Sequence, residues 1–136
     1  MLPTVDFCGL PVTRLVIGAN LLGGFSHQNP ERDAEMVAYY TPEPTRETWR
    51  RAEAAGINTM VTNNATPHVM QSVRGYLAEG GPLQWIAQLT DRPYDSMIAA
   101  IDEAVRIGAK AAYFHGGLVD GFYAGGDDRE IGRAHV

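Results

Sequence analysis

His115 closes the apolar run AAYFH and is followed at once by Gly116 and Gly117. Paired glycines let backbone and imidazole approach a ligand closely, and an imidazole so placed can polarise a carbonyl, shuttle a proton or bind a metal; a histidine hydrogen-bonded at a rim is the plain structural alternative. His115 is therefore the candidate catalytic residue. Four amides stand at the ends of other apolar runs: Asn20 after RLVIGA, Asn63 and Asn64 after INTMVT, and Gln88 within LQWIAQLT. Such amides hydrogen-bond sugar hydroxyls or a carboxamide ring without charge, and Asn63 and Asn64 suit a left-handed turn equally well. With His27, which lies in a long polar stretch, Asn20, Asn63, Asn64 and Gln88 form the expected substrate-binding set. His27 and His68 could also join His115 as three imidazoles around a divalent ion, but the spacings HxH and HExxH are absent and no metal site is assigned.

Side chains scattered in this way need a scaffold that brings strand ends together. A helix that ends in glycine and runs at once into a short apolar strand occurs three times: AEAAG before INTMVT, LAEGGP before LQWIAQLT, and AVRIG before AKAAYFH. The spacing of roughly 25 residues is that of a βα unit, and RLVIGAN supplies a strand ahead of the first helix. Parallel strands need crossovers, so the segments that follow them gather at one mouth. The expected first sheet strand is Leu15 to Asn20, apolar on both faces. Ahead of it, Val5 to Cys8 and Val12 to Arg14 flank Gly9, Leu10 and Pro11 as a hairpin that caps an end, with Cys8 in a structural role. Leu21 to Tyr40 is a connection of about 20 residues, far beyond the usual ~4 to 6, in which Pro30 to Tyr39 could form a helical turn or two and Gly23 and Gly24 serve a turn.

Three helices should cover one sheet face. The first has Thr41 as N-cap, Pro42 at its first position and Thr45, Thr48, Trp49 and Ala52 on one face, with Trp49 as the anchor. The second opens with Thr66 and Pro67 and turns Met70, Val73 and Leu77 inward; the third places Ile98, Ile101 and Val105 on one stripe. Trp85 and Tyr113 read as core or wall residues, and Glu47, Arg50, Arg51 and Glu53 as a solvated helix face with local pairing.

Composition narrows the partners. A chain of 136 residues with 45% hydrophobic residues suits one domain, and a net charge of -5 without basic runs argues against nucleic acid and anionic membranes. Small-molecule substrates remain. The lone Cys8, the absence of a secretory pattern in MLPTVDFCG and the lack of a run long enough to span a bilayer lead to the expectation of a soluble cytoplasmic protein.

With these pieces in place, the chain resembles the aldo/keto reductase superfamily over nearly all of residues 4 to 129. The resemblance is carried by FCGLPVTRLVIGANLLGG, ETWRRAEAAGINT, LQWIAQLT and AAYFHGG. It implies an α/β fold that is a partial (β/α)8 TIM barrel, an N-terminal hairpin plus about four parallel βα units. It also implies an oxidoreductase acting on small carbonyl or sugar-like substrates, with NADP(H) across the C-terminal mouth and a tetrad of Asp, Tyr, Lys and His. Carried over by residue, the Asp and Tyr positions hold Val61 and Thr66, the Lys position holds Leu89 or, one residue back, Gln88, and the His is retained as His115. A threonine hydroxyl has no accessible pKa for the tyrosine's proton transfer.

The last six residues, IGRAHV, match the in-frame translation of a widely used sequencing-adapter end. Residues 1–129 are accordingly expected to be the N-terminal half of a TIM-barrel domain and 130–136 an adapter-derived tail, so that the fragment itself is inactive and could self-associate through its open barrel edge. A metal-dependent isomerase, epimerase or lyase on the same barrel, a non-catalytic ligand-binding barrel, and a complete small flavodoxin-like sandwich are the competing expectations.

Overall fold

The computed structural model describes residues 2–90 and 94–125, so the tail expected at 130–136 lies outside the described residues. Strands β1 (Thr4–Phe7) and β2 (Leu10–Thr13) pair antiparallel. The helices α1 (Asn20–Gly23), α2 (Pro30–Tyr39) and α3 (Pro42–Ala54) follow, and then β3 (Thr59–Asn63), α4 (Pro67–Ala78), β4 (Gln84–Leu89), α5 (Tyr94–Ile107), β5 (Ala111–Phe114) and α6 (Gly116–Gly125). The three later strands form a parallel sheet in the order β3-β4-β5. The architecture is thus α/β, a small hairpin beside a three-stranded parallel sheet with helices. Among the described residues no helix is long and apolar enough to cross a membrane.

Pairing register sorts the strand side chains into two faces. Met60 and Thr62 lie beside Trp85, Ala87 and Leu89, and all five are buried. They join Trp49 of α3 and Val69, Val73 and Tyr76 of α4 in one core. Within it, Trp85 Nε1 donates to Thr62 Oγ1 at 2.9 Å, and the rings of Trp49 and Tyr76 meet edge to face with centroids 5.2 Å apart. On the opposite face Val61, Asn63, Gln88 and Tyr113 remain partly open.

Several sequence expectations are corrected. The segment Leu15 to Asn20 is not a full strand: Ile17 alone bridges to Met60 in parallel, through its N–H to the Thr59 carbonyl and its carbonyl to the Val61 N–H. This segment has a ladder partner on one side only, Leu15 and Val16 are exposed, and the backbone turns into α1 at Asn20. The hairpin turn is Cys8-Gly9, with φ of 53° and 81°, not Gly9 to Pro11; Leu10 and Pro11 belong to β2. Two left-handed residues give the turn the twist of the strands it joins, so exposed Cys8 serves the turn and not the packing. On α5 the buried stripe is Met97, Ala100 and Ala104 with Ile101 at its border, while Ile98 and Val105 are exposed. The two small alanines let the helix approach β4 closely, which the larger side chains one position away would prevent. Glu53 is not merely solvated, since its carboxylate accepts from the Tyr76 hydroxyl.

Other expectations hold. Thr45, Trp49 and Ala52 are buried on α3, and Gly56, Gly80 and Gly108 end their helices with positive φ. Gly81 serves a different need: a Cβ there would lie 2.3 Å from the Tyr76 ring. The hairpin caps the N-terminal end of the parallel sheet. Asn58, just before β3, accepts from Thr13 N at 2.9 Å through Oδ1 and donates to the Pro11 carbonyl at 2.7 Å, and Gln84 Nε2 donates to the same carbonyl at 3.0 Å. Asn58→Ala removes its own bonds to Thr13 and Pro11 and should cost roughly 1 to 3 kcal/mol, with loss of amide protection in β1 and β2 before the parallel sheet. Urea denaturation with hydrogen exchange checks this; undiminished hairpin protection would contradict it.

Candidate functional site

Asn63 ends β3, and its Oδ1 accepts from Ala65 N at 3.0 Å and Thr66 N at 2.8 Å, so the amide closes the turn into α4 and leaves Nδ2 for a ligand. Thr66, the N-cap, makes no side-chain cap bond because Asn63 does this work. Gln88 stands opposite Tyr113 in the β4–β5 register. His115 follows β5, and its N–H donates to the Leu89 carbonyl at 2.9 Å, which continues the ladder by one residue. Its Nδ1 accepts from Gly117 N at 3.1 Å, and its carbonyl accepts from Leu118 N at 2.9 Å, so His115 also caps α6. The Gly117 bond uses Nδ1 as an acceptor and leaves Nε2 without a partner among the described residues.

The fourth wall is built by the long connection. Asn29 caps α2 through Oδ1 to Arg32 N at 2.8 Å, with Pro30 at the first position, which explains a ten-residue helix where a turn or two was expected. Asp33 Oδ1 accepts from Ser26 N at 2.7 Å, and Ser26 Oγ accepts from Gln28 N at 3.1 Å. Between these braces His27 adopts φ 57°, a left-handed conformation that is strained for a residue with a Cβ. Its Nε2 meets Asn20 Nδ2 at 3.2 Å.

These elements enclose a cleft of about 560 Å³ lined by Asn20, Phe25, His27, Asn63, Ala65, Thr66, Gln88, Thr90 and His115. It lies at the carboxyl ends of the parallel strands, and five of the six residues singled out from the sequence line it together. A second cavity of about 400 Å³ adjoins it on the open sheet face, lined by Ile17, Val61 and Tyr113 among others and sharing Asn20, Asn63 and Gln88. Among the described residues no Asp, Glu, Lys or Arg lines either space.

Asn64 does not line the cleft. Its N–H donates to the Gln88 carbonyl at 3.0 Å and its Oδ1 accepts from Thr90 N at 3.1 Å, so it secures Thr90 at the rim. Asn20 opens α1 instead of ending a strand. His68 donates through Nε2 to the Leu22 carbonyl at 2.8 Å and ties α4 to α1, so the three imidazoles do not converge. Among the described residues no group of three His, Cys, Asp or Glu side chains could hold a metal ion. Of the positions implied by the resemblance, Val61 lines the open-face cavity and Thr66 the rim, while Leu89 is buried on the helix side and Gln88 faces the cleft. Tyr113, expected as a wall residue, instead presents its ring to the second cavity at 41% exposure. Alternation in AAYFH carries that signal, since Ala112 and Phe114 share the face of Ala87 and Leu89. Comparison with protein-family models, with curated proteins and with solved structures finds no match.

Hydrogen bonds from Ser26, side chain first and backbone second, hold the Asp33 carboxyl below its ordinary pKa of 3.8, with a smaller contribution from His27. A lowered pKa means that the brace is fully present above 3.8 and is lost as pH falls through the depressed value. The Ser26 amide should keep a constant exchange protection from about pH 5 upward and lose it in stronger acid. Asp33→Ala, which leaves no side-chain acceptor for the Ser26 N–H, should remove that protection at neutral pH; protection equal to wild type would contradict the brace.

Proposed function

We propose that the chain is a partial (β/α)8 barrel of aldo/keto-reductase-like type from an enzyme of the reducing cytoplasm. Its rim cleft takes a small polar carbonyl- or sugar-like molecule, on which His115 acts. The observation that carries this reading is the convergence of Asn20, His27, Asn63, Gln88 and His115 on one cleft whose described lining holds no Asp, Glu, Lys or Arg. Chemistry in parallel α/β folds is placed at the carboxyl ends of strands, and the hairpin occupies the other end. A neutral, amide-lined cleft favours ligands recognised through hydroxyl and carbonyl oxygens over charged ones. Nε2 of His115, freed by the Gly117 bond, is the group that polarises such an oxygen.

NADP(H), implied by the resemblance, is only partly matched. A nicotinamide carboxamide suits Asn63 Nδ2 and Gln88 Oε1, but its phosphates would meet no cationic side chain among the described residues of either cavity, so these residues do not fit the whole dinucleotide. The apolar Val61 and the buried Leu89 at two tetrad positions favour a second reading, a barrel that binds without turnover. In either reading β5, an edge of the three-stranded sheet, offers a surface for a second copy.

Saturation-transfer NMR on the full chain with D-xylose, dihydroxyacetone and NADPH as probes tests the cleft. His115→Asn keeps a side-chain acceptor for the α6 cap and removes the imidazole, so it should weaken dihydroxyacetone binding roughly fivefold. Saturation transfer unchanged by the substitution, or none to any probe, would overturn the reading.

A further inference from the structure

Tyr113 has no role in the site as described so far, yet its surroundings prepare it for one. Gln88, its neighbour in the β4–β5 register, donates through Nε2 to Tyr113 Oη at 2.9 Å. A phenol that accepts from an amide retains its own proton for donation, and among the described residues no acceptor takes it. Tyr113 lines the cavity of about 400 Å³ together with the apolar Ile17 and Val61. Asn20, Asn63 and Gln88 line this cavity and the rim cleft alike, so the two spaces form one site in two parts.

His115 lies two residues beyond Tyr113, and the bond from its N–H to Leu89 keeps it in ladder geometry. Side chains at i and i+2 of a strand leave the same face about 7 Å apart, so one small molecule can meet both with hydrogen bonds of about 3 Å.

The geometry points to Tyr113 as a ligand-binding residue, with Gln88 as its positioning residue, and to an α-hydroxycarbonyl compound as the ligand class. The carbonyl oxygen accepts from His115 Nε2 at the rim, and the adjacent hydroxyl oxygen accepts from Tyr113 Oη below it. This inference rests on the cleft reading proposed above and adds to it a second donor and the requirement for two neighbouring oxygens.

The test compares dihydroxyacetone with acetone, which lacks the hydroxyls, by saturation-transfer titration of the full chain. Wild type should prefer dihydroxyacetone. Tyr113→Phe, which removes one oxygen from a partly exposed ring, should weaken dihydroxyacetone roughly fivefold and leave acetone unchanged, and Gln88→Leu should move the preference the same way. Equal melting temperatures for wild type and variants establish that the fold is intact, and Gln88→Leu carries the test alone if Tyr113→Phe does not fold. No preference in wild type, no change in the variants, or equal weakening of both ketones would overturn the inference. If acetone binds in a His115-dependent manner and dihydroxyacetone binds no better, this inference falls and the cleft reading stands. If His115→Asn changes nothing for any probe, the cleft reading itself falls.

Discussion

Parallel strands cannot be joined by a tight turn, and the rest of this molecule depends on that constraint. Each step from β3 to β4 to β5 must return the chain along the sheet, and α4 and α5 do so. The consequence is polarity: every strand begins near the hairpin and ends near the cleft. Asn58 and Gln84, at the beginnings, reach down to β2, while Asn63, Gln88 and His115, at the ends, gather around one space. Residues that are 27 and 115 in sequence become neighbours of the same cleft because the topology leaves no other place for strand ends to go.

Packing divides the sheet along the same logic. The helix side is filled by Trp49, Met60, Val73, Trp85 and Leu89; the buried indole N–H of Trp85 is paired with Thr62, whereas that of Trp49 has no partner among the described residues. An unpaired indole N–H or threonine hydroxyl at that depth would cost about 1 to 3 kcal/mol, so the pair helps to set the register in which Thr62 lies beside Ala87. The other side carries amides and a phenol among a few apolar residues. Among the described residues no charged side chain lines it, which suits a neutral ligand. Strain enters at one point of this site, where His27 is held left-handed by bonds from Ser26, Asn29 and Asp33 to neighbouring backbone.

Much of this was legible from residue order. Glycine stops at Gly56, Gly80 and Gly108, prolines at helix starts and apolar strands between them are local signals, and local signals read without a structure. The hairpin and the inward face of α3 were legible for the same reason. What escaped depended on partners. Whether Leu15 to Asn20 becomes a strand depends on having a neighbour on both sides, and it has one. Which stripe of α5 is buried depends on how close the sheet lies, and there the alanines prevail over isoleucine and valine. At the site, residue type pointed to His115, Asn63 and Gln88, but Asn64 and His68 turned to structural bonds that cross 26 and 46 residues of sequence. Tyr113 was missed because an aromatic residue on a strand usually packs, and only the register shows which face it takes.

The account stands on the parallel pairing of β3, β4 and β5, which proton–proton Overhauser measurements read directly. Thr62, Ala87 and Ala112 should appear as neighbours on adjacent strands, through amide-to-α-proton contacts and without close pairs of α protons. Strong α-proton to α-proton contacts between adjacent strands would show an antiparallel sheet, scatter the strand ends to opposite poles and remove the cleft with them.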